Sequence, residues 1–246
     1  MKPSLETLLQ RSDIWRAKAG VTAAQPTLPS GLPVLDHALG GGWPIGAVVE
    51  LLLEQTGIGE LRLLLGETGA ATRPARPQRQ VWVDPPLPPY APALRQHGIG
   101  LADLLVVRPG DRAQWLWACV QALRAGRELV VVCWPGRHRL RYADLRQLQV
   151  TAAEHGSLGF VLHDLTQGRR VLQHSTPTPL RLRLSTGPAA LEIDILKQRG
   201  SAAGQHILMP HPPALQPPRQ RRRARPAAHP TTTPRIAPSL FLEVRV

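Results

Sequence analysis

Short unbroken apolar runs alternate along this chain with stretches whose apolar positions recur every three or four residues. The runs AVVELLL (47–53), RQVWVD (79–84), LLVV (104–107), ELVVVCW (128–134) and SLGFVLHD (157–164) predict buried strands. Between them the pattern predicts helices: a short one over 59–65, one over 90–97 stopped by Gly98, RAQWLWACVQALRAG ended by Gly126, and YADLRQLQVTAAEHG. Ser30–Leu39 reads as a turn or short helix, and GGGWPIG after it as a rigid bend. From residue 180 the rhythm changes. LRLRLS and LEIDILKQ alternate with period two, as strands with two unlike faces do, and TGPA between them predicts a hairpin turn. Strands alternating with helices, then an antiparallel C-terminal edge, predict an α/β fold with a mixed, mostly parallel central sheet.

The ends differ from this core. Residues 1–20 predict an N-terminal helix that Ser4 can cap, with Leu5, Leu8, Leu9 and Trp15 as its apolar stripe. Residues 21–29 read as a linker and 30–209 as the core. Residues 210–246 form a Pro/Arg-rich tail that is too poor in apolar residues to build a core, and it is expected to be largely disordered alone. Its last stretch, SLFLEVRV, is apolar again and is expected to dock.

At 43% hydrophobic over 246 residues, the chain can build one α/β domain with extensions. Its 30 Lys and Arg outweigh 17 Asp and Glu, a formal +13 that favours an acidic partner, either nucleic acid or an acidic protein face. Cys119 and Cys133 read as packed thiols. His138, His155, His163 and His174 lack metal-ligand spacing, so no metal site is expected. No apolar run reaches the ~18 residues that span a membrane, and the acid-bearing start does not read as a signal peptide, so a cytoplasmic protein is expected.

The apolar run 47–53 leads through EQTGIG into a helical pattern, the layout of a phosphate-binding loop. Such a loop ends in Gly-Lys followed by Ser or Thr. The lysine neutralises the phosphates and the hydroxyl meets the magnesium ion. With Gly59 on the second conserved glycine, Glu54 falls on the first, Gly57 lies within the loop, Glu60 takes the lysine position and Leu61 the hydroxyl position. A carboxylate there repels a triphosphate. GETGAATRP (66–74) is a second candidate, with Ala71 at its lysine position. ELVVVCW ends in Cys133 and Trp134 where an acidic residue would reach the metal shell. The expectation is a non-catalytic core with no cofactor.

LPSGLPVLDHALGGGWPIGAVVELLL resembles the opening of a RecA core, through Leu35, Asp36, Ala38, Leu39, Gly42, Pro44, Gly46, Val49 and Glu50. QVWVDPPLPPYAPALRQHGI is similar to the RecA segment carrying the catalytic glutamate. Asp84 and Tyr90-Ala91 match it, and Pro86 stands at the glutamate position. LEIDILKQRG resembles a late core strand with its basic segment. GIGELRLLL together with LPSGLPVLDHALGGGWP is similar to the ImuA family, RecA-like accessory proteins of bacterial translesion synthesis that also resemble the cell-division inhibitor SulA. The resemblance covers roughly residues 1–200. It implies a RecA-like three-layer core and a role in SOS-induced DNA damage tolerance. There the protein would bridge an inactive Y-family polymerase homologue, an error-prone replicative-type polymerase and single-stranded or primer-template DNA. Two alternatives stay open: a DNA-stimulated ATPase with unorthodox nucleotide contacts, and a SulA-like division inhibitor.

The resemblance also directs attention to two loops, because RecA holds single-stranded DNA on loops after the metal-binding strand. The matching segments supply Arg137, Arg139 and Arg141, then Arg169 and Arg170, as candidate DNA contacts. The tail adds Arg219, Arg221, Arg222, Arg223 and Arg225. Leu5, Leu8, Leu9 and Trp15, with Trp115 and Trp117, are candidate protein-interface residues, including for self-association. Trp115 and Trp117 are two apart on one helix and cannot share a face, so one is expected inside and the other at an interface. A cytoplasmic, nucleoid-associated location follows from the same resemblance.

Overall fold

Every residue of Ala47–Leu53 is buried, and in the computed structural model of the protein this strand lies inside a nine-stranded sheet. The structure describes residues 26–65, 79–168, 171, 174–200 and 204–211, with the backbone of 243–245. In chain order the strands are β1 (Thr27–Leu28), β2 (Trp43–Pro44), β3 (Ala47–Leu53), β4 (Arg79–Val83), β5 (Leu104–Arg108), β6 (Leu129–Cys133), β7 (Leu158–Asp164), β8 (Leu180–Thr186), β9 (Ala190–Gln198), β10 (His206–Pro210) and β11 (Glu243–Arg245). The helices are α1 (Pro33–Leu39), α2 (Glu60–Leu65), α3 (Ala91–Gln96), α4 (Arg112–Arg124) and α5 (Tyr142–His155).

The large sheet runs in the order β10-β9-β8-β3-β7-β6-β4-β5-β11. From β8 to β11 every pairing is parallel. Beyond β8 the sheet turns antiparallel, through β9 and then β10. The parallel part needs cover on both faces, because its strands are apolar all round. One face packs Leu35 of α1, Leu63 of α2 and Leu94 of α3 over Val49, Leu51, Phe160 and Leu182. The other packs Trp115, Cys119 and Leu123 of α4 and Leu145, Leu148 and Ala152 of α5 over Val48, Val131 and Val161. The result is a mixed α/β fold with a mostly parallel sheet between helices.

Local chemistry explains the ends of these helices. Pro33 opens α1 with its φ already set, and Gly40 closes it in the left-handed region at φ 74°. Asp111 caps α4, its carboxylate accepting the Gln114 N–H at 2.9 Å. Gly156 closes α5 at φ 65°.

Two features depart from the sequence expectations, and a third meets the docking expected of SLFLEVRV. The last residues of the expected linker form β1, which pairs antiparallel with β2 inside the expected bend. This ribbon requires glycine at position 42, because a Cβ there would stand 2.2 Å from the Leu28 carbonyl oxygen. β10 extends the antiparallel edge with Ile207 and Met209 inward, and it carries the folded core to Pro210. Glu243–Arg245, at the end of the expected tail, pairs parallel with β5.

Candidate functional site

The loop between β3 and α2 leaves the carboxyl end of the sheet, where ligands of open α/β sheets bind. Three of its backbone N–H groups are already engaged. Oε1 of Glu60 accepts the Gly57 N–H at 2.9 Å, and Oε2 accepts the Gly59 N–H at 3.1 Å. Both glycines hold positive φ, 82° and 108°, which turns their N–H groups towards one anion. Glu60 is buried, so the side chain at the lysine position itself fills the anion nest. The Glu54 N–H donates to the Leu184 carbonyl at 2.9 Å, tying the loop to β8. Leu61, at the hydroxyl position, packs against the core. Cys133 is buried on the α4 side of the sheet beside Cys119, and both thiols are free. Burial and the neighbouring Cys133 push the Cys119 thiol well above its ordinary value. Pro86 is exposed in the loop after β4, next to Asp84, the one described non-glycine residue with positive φ, at 55°.

Beside this loop lies an open cleft of ≈ 930 Å³. Its lining comes from the start of α4, the loop between β6 and α5, the first turn of α5, the end of β7, the segment after it, and β8. Five arginines (Arg112, Arg137, Arg139, Arg141 and Arg181) and three histidines (His138, His163 and His174) line it, against one aspartate, Asp164. These cations are not equivalent. Arg112 is paired with Asp144, and its Nε donates to the Arg139 carbonyl at 3.3 Å. Arg181 is committed to Glu50. Arg137, Arg139 and Arg141 are exposed, and no acidic side chain among the described residues pairs with them.

Under the cleft sits a buried ion pair. Glu50 is the lone acid of β3 and is fully inaccessible. Arg181, aligned with it on the neighbouring parallel strand, donates from Nη2 to Oε2 at 3.0 Å and to Oε1 at 3.2 Å. Thr178 donates its hydroxyl to Oε1 at 2.6 Å and Thr176 donates to the same oxygen. Nε2 of His163 lies 3.2 Å from Oε2. Burial pushes the Glu50 carboxyl up, but His163 and Arg181 outweigh it and lower the group to about 2. The remaining guanidinium nitrogen, Nη1 of Arg181, donates to the His174 carbonyl at 2.9 Å, fixing the segment that forms one wall of the cleft.

Asp164 joins loop and cleft. Its Oδ2 accepts the Thr56 hydroxyl at 3.3 Å, and its Oδ1 accepts the Thr166 N–H at 2.9 Å. Burial raises this carboxyl, while hydrogen bonds from Thr166, Gln167 and Thr56 outweigh that and hold it below the ordinary carboxylate value.

The sequence-derived candidates divide accordingly. Arg137, Arg139 and Arg141 converge on one cleft, and Arg112, His163 and Arg181 join them from distant segments. Trp115 is withdrawn from the candidate interface. It is fully buried and donates its indole N–H to the Trp134 carbonyl at 2.8 Å, so it serves the core. Trp117, on another side of α4, is exposed. Leu5, Leu8, Leu9, Trp15, Arg169, Arg170, Ala71, Arg219, Arg221, Arg222, Arg223 and Arg225 lie outside the described residues. Among the described residues no group of acids, histidines and cysteines has the arrangement of a metal site, and no helix is long and apolar enough to cross a membrane. In comparison with known proteins, no family model matches the chain and no curated protein matches it.

Proposed function

We propose that this protein is a non-catalytic, RecA-like accessory factor of translesion DNA synthesis, of the ImuA type, which holds single-stranded DNA by its phosphates in the cationic cleft. The observation that carries this reading is the pairing of a closed loop with an open cleft at the carboxyl end of the sheet. The nest that would cradle a nucleotide's phosphates is filled by Glu60, whereas Arg137, Arg139 and Arg141 stand exposed with no described acid to neutralise them. Arginines so arranged suit a polyanion: each phosphate contact releases counterions, and binding is salt-sensitive and indifferent to sequence.

The RecA-like part of the proposal is supported by the position of β3, which carries the degenerate loop between β7 and β8 in a mostly parallel sheet with an antiparallel edge. Its non-catalytic part is supported by four positions together. Glu60, Leu61, Cys133 and Pro86 offer no cation, no metal-binding hydroxyl, no metal-shell acid and no base. In this role the protein works in the cytoplasm on the nucleoid and bridges a Y-family polymerase homologue and an error-prone polymerase, with the exposed Trp117 as one anchor for a protein partner.

The test is co-purification of the full chain with the Y-family polymerase homologue of the same genome, together with ATP turnover measured with and without single-stranded DNA. A stable complex that binds the strand without turnover is expected. DNA-stimulated turnover that is lost on substitution within 54–61 would overturn the proposal in favour of an ATPase.

A further inference from the structure

We infer that Tyr142 is a stacking platform for a base of the strand whose phosphates the arginines hold, an inference that rests on the nucleic-acid reading of the cleft. Five of the eight aromatic side chains among the described residues are consumed by the core. Trp43 packs edge-on to Phe160 with ring centroids 5.1 Å apart, Trp82 packs against Trp134, and Trp115 is inaccessible. Tyr142 is different: it is 51% exposed, and it is the one Phe, Tyr or Trp among the residues that line the cleft. The two other exposed aromatics, Tyr90 and Trp117, lie outside it. No described residue makes a hydrogen bond to the Tyr142 hydroxyl.

The backbone that carries the ring is held firmly. Tyr142 is the first residue of α5 and directly follows Arg141. The Arg141 N–H donates to Asp144 Oδ2 at 2.7 Å, the Asp144 N–H returns to the Arg141 carbonyl at 3.1 Å, and Arg112 secures the same carboxylate from α4. A ring on a fixed helix start, directly after the exposed Arg139 and Arg141, joins the two elements of sequence-tolerant single-strand recognition: cations for the backbone and a π-face for a base. A duplex keeps its bases stacked on one another and cannot use such a face, so the ligand class is single-stranded nucleic acid.

The experiment uses the full chain and two labelled probes of equal length and charge, an oligo-dT strand and the same strand made abasic, read by fluorescence anisotropy across a salt series. The wild type is expected to bind the dT strand roughly tenfold more tightly than the abasic one. Tyr142→Ala should lose most of that preference while keeping the salt slope, because no phosphate contact is removed, and Tyr142→Phe should retain both. Arg139→Ala should flatten the slope on both probes. If Tyr142→Ala matches wild type, or wild type does not distinguish the probes while Arg139→Ala still flattens the slope, the stacking role is overturned and the cleft reading survives. If wild type binds neither strand, both fall together.

Discussion

The Glu60 carboxylate receives the Gly57 backbone N–H at 2.9 Å and, through its second oxygen, the Gly59 N–H at 3.1 Å. A loop with this layout ordinarily offers its N–H groups to a phosphate. Here the side chain three residues beyond the first glycine supplies the anion, so the loop keeps its shape with no nucleotide in it. Removing the carboxylate should therefore destabilise the fold. Glu60→Ala leaves two donors without their acceptor and is expected to cost about 1–3 kcal/mol in denaturant unfolding, with Glu60→Gln losing less. An alanine variant as stable as wild type would show that the loop does not depend on this contact.

Restoring the lysine should not restore catalysis. In Glu60→Lys the metal-shell position is still Cys133, buried against α4, and the base position is still the exposed Pro86. ATP turnover of this variant, with single-stranded DNA present, should remain at background. Turnover above it would mean that other groups of the cleft supply the missing chemistry.

The pairing of Glu50 with Arg181 joins two central strands with both ions out of water. Removing one partner strands the other. Arg181→Ala is expected to lower stability by about 3–5 kcal/mol, and substitution of both residues by apolar ones of similar size should recover much of the loss. Equilibrium unfolding of the single and double variants tests this.

The same pair gives the protein an acid limb. Glu50 titrates at about 2 in the folded chain against its ordinary 4.5, so the unfolded chain takes up the proton first as pH falls. The stabilisation from this group is complete above its ordinary value and is lost as pH drops towards 2, with a slope of at most about 1.4 kcal/mol per pH unit. Arg181→Ala should lose part of that limb but not all of it, since His163 remains beside the carboxyl to oppose burial. Denaturation midpoints followed down from neutral pH distinguish the two behaviours.

Trp115 and Trp117 should behave oppositely despite lying two residues apart. Trp115→Ala empties a fully buried site and removes a hydrogen bond, for an expected loss of about 3–5 kcal/mol. Trp117→Ala should change stability by no more than about 0.5 kcal/mol and act, if at all, on partner capture. A stable Trp115→Ala variant would contradict the assigned packing.

Much of the fold was legible because buried parallel strands read as unbroken apolar runs. Ala47–Leu53 was marked at both ends, and the hairpin of β8 and β9 showed its period of two. β1 and β2 were not, since a two-residue strand has no period and the constraint on Gly42 comes from a backbone distant in sequence. β10 alternates with Ile207 and Met209 inward, but it is short and runs into proline, which obscures it. At the site, Arg137, Arg139 and Arg141 were legible as a basic run, whereas Arg112 and Arg181 reach the cleft only through the topology. Glu50 did carry a signal: a lone acid inside an apolar strand demands a buried partner. The role of Glu60 was hidden because its charge reads as repulsion of phosphate, and only the geometry reveals it as the acceptor for the loop's own N–H groups.

The central claim is that the cleft holds a single strand by its phosphates, and the salt dependence of oligo-dT affinity tests it most directly. Measured for the full chain and for the combined Arg137→Ala, Arg139→Ala and Arg141→Ala variant, the slope of log affinity against log salt should flatten by ~0.7 per lost contact, about 2 in all. Equal slopes and equal affinities in the two proteins would contradict it.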